Sequence, residues 1–180
     1  MVDIWFIADT HFDHENILTF KNKDGKPLRS FKSVEEMNET MIERWNSVVK
    51  VQDHIYHLGD VTMARGKAWK QIDVIMGRLK GHKRVCLGNH DQLKSEWYFR
   101  QFEKVKAVNV LDGIVFTHIP IHPESLGRFK ANVHGHTHDK QVLLSPHHPD
   151  LRYISVCVEQ TDYSPVHLED LQARIRKHGA

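Results

Sequence analysis

Residues 2–11 read Val-Asp-Ile-Trp-Phe-Ile-Ala-Asp-Thr-His, an apolar, aromatic and β-branched run that ends in polar residues. Such a run predicts a buried strand over 2–8, with Asp9 and His11 directly after it. Because side chains alternate across an extended segment, the i, i+2 spacing puts these two on the same side. The stretch therefore predicts a sheet whose strand ends carry polar side chains.

Strands and helices alternate along the rest of the chain, and this pattern favours a layered α/β fold. The first helix begins with a capping box formed by Ser33 and Glu36. Residues 21–30 are polar and rich in turn formers, so they are expected to form a surface loop, and 119–131 another. Further strands are predicted at 54–58, 84–87, 108–111, 114–117, Val133 and 152–159, and further helices at Gly66–Leu79, about 93–103 and 167–177.

The composition is that of one globular domain spanning residues 1–180, with 40% hydrophobic and 27% charged residues. A net charge of +2 argues against a protein that depends on a strongly basic face to hold nucleic acid. It leaves room for a nucleotide or nucleic acid held locally as substrate. Histidine is abundant, at 15 residues. Because histidine is a common metal ligand and general acid or base, this excess is a reason to search for a metal site.

Several features predict a cytoplasmic protein with no membrane partner. The early acid Asp3 is unlike a signal peptide, and the apolar run 4–8 is too short to span a bilayer. Cys86 and Cys157 each lie in an apolar run, which predicts buried free thiols. The oligomeric state is left open by the sequence.

Five polar clusters each come just after a predicted strand. Since the carboxyl ends of neighbouring strands in an α/β sheet meet at one crevice, the clusters are expected to converge. They supply Asp, His and Asn without Cys, which suits a hydrolytic transition-metal site better than a structural zinc site. Asp60, alone at its strand end, is the natural carboxylate to bridge two cations. The clusters are Asp9-Thr10-His11, Gly59-Asp60, Gly88-Asn89-His90-Asp91, His118 and Gly135-His136-Thr137-His138.

This ordered set, D-x-H, G-D, G-N-H-D, H and G-H-x-H, resembles the calcineurin-like metallophosphoesterase superfamily, most closely its short single-domain bacterial and phage phosphoesterases. The resemblance covers roughly residues 2–160. It implies a four-layer α/β/β/α sandwich with a dinuclear metal centre at one end. The implied ligands are Asp9, His11, Asp60 and His138 for the first metal, and Asp60, Asn89, His118 and His136 for the second.

The resemblance also implies the reaction, an enzymatic hydrolysis of phosphoester bonds by a hydroxide that bridges two divalent ions. His90 matches the non-ligand histidine of the family motif, which implies a general acid or charge stabiliser over the phosphate. Asp91 would orient His90 by a hydrogen bond. Mn²⁺ is favoured, although Fe, Ni or Zn would fit the same ligands.

Two points are left open by the residues themselves. The superfamily often has Gly-His at the fourth block, whereas this chain has Thr117-His118 and a second histidine at His122. His118 is the preferred ligand because it directly follows a predicted strand, and His122 is the alternative. The roles of four neighbouring residues are also open: Asp13 and His14 as substrate contacts or loop residues, and Arg128 and Lys130 as contacts to a second phosphate or as solvated charges.

The G-H-x-H ending resembles the phosphodiesterase and nuclease-like branches of the superfamily, which favours a small phosphodiester or nucleotide as substrate. Asn89-His90-Asp91 differs from the Asn-His-Glu usual in protein Ser/Thr phosphatases. The alternatives are a phosphomonoesterase, a nuclease for short strands, and a non-catalytic interaction scaffold on the same fold.

Overall fold

The computed structural model describes residues 2–64 and 68–177. Gly66, where the sequence predicts the second helix to begin, lies outside these residues. The strands are β1 (Ile4–Ile7), β2 (His54–His57), β3 (His82–Cys86), β4 (Lys104–Lys106), β5 (Val108–Leu111), β6 (Ile114–Thr117), β7 (Ala131–His134), β8 (Leu143–Ser145), β9 (His148–Pro149), β10 (Tyr153–Ser155) and β11 (Val166–His167). The α-helices are α1 (Val34–Val48), α2 (Trp69–Arg78), α3 (Ser95–Gln101), α4 (Pro123–Leu126) and α5 (Leu168–Lys177), and 3-10 turns cover Glu15–Thr19 and Val158–Gln160.

The longer strands form two sheets that combine parallel and antiparallel pairing. The first has the order β11-β1-β2-β3-β4, in which β1 to β4 are parallel and β11 is antiparallel to β1. The second has the order β10-β7-β6-β5, in which the predicted hairpin β5-β6 supplies the antiparallel pair. The protein therefore has the mixed α/β fold that the sequence predicts.

The two sheets pack face to face, with the helices α1 to α3 against the other face of the first sheet. Phe6 of β1 stacks on Phe116 of β6, and the ring centroids are 4.4 Å apart. Ile7, the next residue along β1, belongs instead to the hydrophobic cluster that contains Met41 and Trp45 of α1. Because both faces of the first sheet are covered with apolar side chains, polar groups gather at the ends of its strands.

The start of α1 contains one half of the predicted capping box. The Ser33 hydroxyl accepts a hydrogen bond from the backbone amide of Glu36 at 3.2 Å, as predicted. The Glu36 carboxylate accepts at 2.6 Å from the amide of Lys32, the residue before the N-cap, and not from the amide of Ser33 that a capping box requires. Ser33 therefore satisfies one amide that the helix cannot satisfy internally.

The stretch predicted as a strand over 152–159 behaves differently after β10. The chain leaves the second sheet at Val156, whose amide bonds to the His134 carbonyl while its own carbonyl accepts from Ala8. Cys157 then pairs with the end of β1, and a 3-10 turn follows. This crossing from one sheet to the other brings Glu159 beside the loop that follows β1.

Other parts of the chain also differ from the sequence-based expectation. The strands β4, β8, β9 and β11 are not predicted by the sequence pattern, and a short α4 lies in the stretch predicted as a loop. The expected surface loop 21–30 contains Arg29, which is buried. No helix in the described part of the chain is both long and apolar enough to cross a membrane.

Candidate metal centre

The side chains predicted as metal ligands lie together at one end of the two sheets. The loop after β1 is held against the loop after β2, because the amide of Asp9 donates to the Gly59 carbonyl and that of His11 to the Asp60 carbonyl, both at 3.0 Å. The amide of Gly135 donates to the His118 carbonyl at 3.0 Å and so joins the two loops of the second sheet. The convergence expected from the strand ends is therefore present.

Asp9, His11 and His138 form the first cluster, in which their potential ligand atoms all lie within 4.8 Å of one another. Asp9 Oδ1 is 3.9 Å from Nε2 of His11 and 3.9 Å from Nε2 of His138. The carboxylate and the His11 ring are buried. The three groups can bind one ion as an oxygen–nitrogen set of the kind that first-row transition metals accept.

Asp60, His118 and His136 form the second cluster, under the same 4.8 Å limit. The rings of His118 and His136 are 5.1 Å apart between centroids. His118 is buried and His136 is exposed, so this cluster opens to solvent. Asn89 joins it through Oδ1, which lies 2.9 Å from Nε2 of His118.

Asp60 connects the two clusters. Its Oδ2 atom is 3.6 Å from Nε2 of His11 and 3.4 Å from Nε2 of His118. Its other oxygen, Oδ1, accepts a hydrogen bond from the backbone amide of His90 at 2.9 Å. One carboxylate oxygen therefore faces a ligand nitrogen of each cluster, which is the arrangement a bridging carboxylate requires.

The backbone at these positions is strained. A non-glycine residue in the left-handed region costs about 1–2 kcal/mol, so it persists only where neighbouring contacts hold it. At Asp60 the contact is with Asp91, whose carboxylate accepts hydrogen bonds from the amides of Gly88, Asp60 and Val61 at 2.8–2.9 Å. The candidate ligands with positive φ are Asp9 (58°), His11 (47°), Asp60 (56°), His136 (71°) and His138 (51°).

The glycines of the motifs allow the loops to approach this closely. A Cβ atom on Gly59 would lie 2.6 Å from the Gly88 amide nitrogen and 2.7 Å from Nδ1 of His118. A Cβ atom on Gly135 would lie 2.5 Å from Oδ2 of Asp9. Any larger residue at either position would push the candidate ligands apart.

The electrostatics of the first cluster fit a cation. Burial raises the pKa of Asp9 to about 6, which shows how unfavourable its charge is without a positive partner. Burial also lowers the pKa of His11 well below its ordinary value, so the ring is neutral and its nitrogen is free to bind metal. Asp9 Oδ1 and His11 Nε2 are both buried without a hydrogen-bond partner. A divalent ion between them would satisfy both atoms.

A buried ion pair supports this cluster from behind. Glu159 Oε1 lies 2.9 Å from Nδ1 of His138, so the opposite nitrogen of that ring, Nε2, is left for the cluster. The Arg29 guanidinium donates to Glu159 Oε1 at 2.8 Å and to the carbonyls of Asp9 and Thr10 at 2.6 and 2.8 Å. Sequence reasoning missed Arg29 and Glu159, because neither belongs to a motif and they lie 130 residues apart.

The two residues predicted to be catalytic, His90 and Asp91, lie in different surroundings. His90 is exposed, and its ring centroid is 5.9 Å from that of His11, so the side chain lies over the open side of the centre. The expected hydrogen bond from the His90 ring to the Asp91 carboxylate is not found among the described residues. Both Asp91 oxygens accept from backbone amides instead, so Asp91 holds the strand-end loops together.

The residues whose roles the sequence leaves open also have defined places. His122 caps α4, where its ring accepts from the amide of Glu124 at 3.3 Å. Arg128 lies over the ring of Phe129, with 5.2 Å from its Cζ to the ring centroid. His14 lies inside the site region, since its ring is 5.6 Å from that of His11. Asp13 donates its amide to Asn38, and Lys130 donates its amide to Gly113 and lies beside that glycine.

Comparison with known proteins identifies relatives whose names state no activity. No protein-family model matches the chain. Uncharacterized protein MJ1445 of Methanocaldococcus jannaschii is 33% identical over 178 residues, which are 98% of this chain and 93% of that protein. Gene 66 protein of Mycobacterium phage L5 is 32% identical over 93 residues, which are 51% of this chain and 41% of that protein. The crystal structure of the protein of unknown function AQ665 from Aquifex aeolicus has a TM-score of 0.71 at 24% identity, over 96% of this chain and 99% of that chain, so the two share a fold.

Proposed function

The chain belongs to the family of protein MJ1445 of M. jannaschii, and we propose that it is a dinuclear metal-dependent phosphoesterase that hydrolyses phosphodiester bonds. In this proposal the first metal is held by Asp9, His11, Asp60 and His138, and the second by Asp60, Asn89, His118 and His136. The fold would be the four-layer α/β/β/α sandwich of the calcineurin-like superfamily, for which the stacked sheets give support.

The position of Asp60 carries the proposal. Its Oδ2 atom lies between the two clusters, 3.6 Å from a nitrogen of His11 and 3.4 Å from a nitrogen of His118. A structural polar cluster has no need for a shared carboxylate between two sets of imidazoles. Two adjacent metal sites are, in contrast, typical of enzymes that displace a group at phosphorus, and Asp60 would belong to both sites here.

Two divalent cations at such a site lower the pKa of water to near neutrality and stabilise charge on phosphoryl oxygens. Within the chain, we assign His90 to the leaving group, because its side chain is exposed and its ring lies 5.9 Å from that of His11. In this proposal its ring holds a proton and donates it to the ester oxygen that leaves, and Asp91 fixes the loop on which His90 lies.

The choice of metal and cellular setting follows from the chemistry of the residues. The candidate ligand set consists of oxygen and imidazole donors without sulfur, which favours Mn²⁺ while Fe, Ni and Zn also fit. Cys86 and Cys157 are buried and unpaired. Unpaired thiols are usual in reducing compartments, so we place the protein in the cytoplasm.

The test is metal content measured together with phosphoester hydrolysis. After chelation and reloading with Mn²⁺, the chain is expected to bind two ions and to hydrolyse bis-p-nitrophenyl phosphate faster than p-nitrophenyl phosphate. Asp60→Asn should lose both ions and the activity, whereas Asp170→Asn, an exposed substitution on α5, should keep both. Binding of no metal, or hydrolysis unaffected by chelator, would contradict the proposal. Metal binding without hydrolysis of any phosphoester would favour an interaction scaffold.

A further inference from the structure

A cavity of about 570 Å³ lies beside the first cluster and has two different walls. One wall is polar and consists of His136, Thr137 and His138, so it includes one candidate ligand of each cluster. The opposite wall includes Phe20 and Leu28. A volume of this size is within the range of pockets for small-molecule ligands, about 300–1,000 Å³. The cavity therefore joins the metal centre to an apolar surface.

The apolar wall is built by a hairpin. Lys21 bridges Pro27 in antiparallel pairing, and the amide of Leu28 donates to the Phe20 carbonyl at 2.8 Å. Phe20 and Leu28 therefore stand directly opposite each other, and side chains so placed share one face of the pair. Leu28 packs against the hydrophobic cluster that contains Met41 and Trp45, whereas Phe20 is 47% exposed and belongs to none of the hydrophobic clusters of the described residues.

Both walls are held firmly in place. Arg29, the residue after Leu28, is buried and bonded to the carbonyls of Asp9 and Thr10, which fixes the hairpin relative to the first cluster. On the other side, Gln160 donates to the carbonyls of His138 and Lys140 at 2.6 and 3.0 Å. The exposed ring of Phe20 is therefore held in position in the free protein, and it is not part of the hydrophobic core.

The polar groups around the cavity are suited to a flat ligand with hydrogen-bonding edges. The Thr137 hydroxyl is buried and has no hydrogen-bond partner. Lys21, Asn22, Asp139 and Lys140 also line the cavity. The two lysines outnumber the one carboxylate, so the lining favours an anion. A purely apolar group would leave these donors unsatisfied, whereas a sugar alone would leave the Phe20 face uncovered. A nucleobase supplies a flat face and polar edges, and it reaches the cavity attached to a phosphate.

We propose that this cavity binds the nucleoside part of a nucleotide phosphoester, with the base stacked on Phe20 and Leu28 and the phosphate at the metal centre. The placement of the phosphate rests on the proposed function, whereas the base contact rests on the hairpin alone. The short distance between Phe20 and the first cluster supports this placement. The His14 ring lies between them, with its centroid 5.6 Å from that of His11 and 5.8 Å from that of Phe20.

The experiment compares two ligands that cannot be hydrolysed, on the Mn²⁺-loaded chain, by calorimetry. One is the phosphonate analogue of adenosine 5′-monophosphate, in which carbon replaces the ester oxygen, and the other is methylphosphonate. The adenosine analogue is expected to bind about 5- to 100-fold more tightly, the range expected for one base-stacking contact. Phe20→Ala should remove this advantage and leave methylphosphonate binding unchanged, and Phe20→Trp should restore it.

Phe99→Ala is the matched control, because Phe99 is 68% exposed on α3 and does not line the cavity. Equal affinity for the two ligands, or equal effects of Phe20→Ala and Phe99→Ala, would overturn the inference. The phosphoesterase proposal would be unaffected by that result, because the hydrolysis rates test it separately. Base-dependent binding that Phe20→Ala removes would support the inference even if no phosphoester were hydrolysed, in which case the proposed function alone would fail.

Discussion

Glu159 contacts His138 at the ring nitrogen that faces away from the candidate metal centre, with 2.9 Å between Oε1 and Nδ1. Burial acts to raise the pKa of Glu159, but the contacts with His138 and Arg29 outweigh it and hold the pKa below its ordinary value. The ionised carboxylate keeps the proton of His138 on Nδ1. The other nitrogen is thereby available as a ligand, and the carboxylate makes it a stronger one.

Replacing Glu159 should therefore weaken metal binding without removing a ligand. Glu159→Gln keeps the shape of the side chain and loses its charge, and we expect the Kd for Mn²⁺ to rise by about 10- to 100-fold, as for other partners of metal-bound histidine. Calorimetric titration of the chelated chain measures this. Glu169→Gln on α5, whose side chain is 81% exposed, should leave the Kd as it is, and equal affinity in the two variants would rule out this role for Glu159.

Arg29 should matter for folding even when no metal is present. Its side chain is fully buried, and Arg29→Met removes the guanidinium that donates to the Glu159 carboxylate and to the carbonyls of Asp9 and Thr10. Breaking a buried ion pair in this way costs about 3–5 kcal/mol of unfolding free energy. Urea unfolding in the presence of chelator measures it. Arg100→Met removes a guanidinium that is 58% exposed and 3.5 Å from Asp73, so it should cost less than about 1 kcal/mol.

His90 should affect turnover and leave the metal content unchanged. It is exposed and bonds to Asp60 only through its backbone amide, which His90→Ala retains. If the ring protonates the leaving oxygen, turnover should fall by about 10²–10⁴-fold. Metal analysis and hydrolysis rates on the same preparation separate the two effects. Unchanged turnover with two bound ions would remove His90 from the proposed reaction.

His118 and His122 should differ in their effect on the second metal. His118 lies in the cluster with Asp60 and His136, whereas His122 is exposed and caps α4. His118→Ala is expected to lower the metal content of the chain, and His122→Ala to keep it. Elemental analysis of both purified variants decides the assignment, and the reverse result would make His122 the ligand.

His57 should make the stability of the metal-free chain depend on pH. Its Nε2 lies 2.9 Å from Thr10 Oγ1, and because that hydroxyl donates to the Val61 carbonyl, the ring is the donor to Thr10. Burial lowers the pKa of His57 from 6.5 to about 3. Below pH 6.5 the unfolded chain therefore binds a proton at His57 that the folded chain does not bind. The contribution of His57 to the free energy of unfolding falls as the pH drops below 6.5.

Unfolding free energies of His57→Gln, measured by urea at pH 7 and pH 5 with chelator, test this effect. Glutamine keeps a donor for Thr10 and removes the titration. Between pH 7 and pH 5 the free energy of unfolding of the variant should therefore fall by about 2 kcal/mol less than that of the unmodified chain. His148→Gln, an exposed substitution in β9, should keep the pH dependence of the unmodified chain. The same dependence in His57→Gln would show that another group is responsible.

The fold and the candidate ligands are predictable where a local pattern determines them. The run ending at Ile7 is apolar on both faces, so it must be a buried strand, and parallel pairing then brings its end beside the ends of β2 and β3. The same reasoning places Asp9 near Asp60 without any knowledge of the contacts between them. Side chains at strand ends are thus located by the sheet itself.

The contacts that support the site depend on chain crossings that no local pattern encodes. Arg29 lies in a stretch of polar residues that is indistinguishable from a surface loop, and Glu159 follows the point where the chain passes from one sheet to the other. β4 reads Lys-Val-Lys and is stabilised by backbone pairing with β3, so its side chains give little sign of a strand. Asp91 adjoins His90 in sequence, yet its carboxylate finds nearer donors in three backbone amides.

The close approach at Gly59, Gly88 and Gly135 has a consequence for how related chains are recognised. At each position a methyl group would overlap a neighbouring loop or a candidate ligand. Substitution there would be rejected for steric reasons even in a chain that had lost every ligand. A pattern built on these glycines therefore detects a shape that chains without the chemistry can keep. Only the aspartates, the asparagine and the histidines between the glycines carry information about activity.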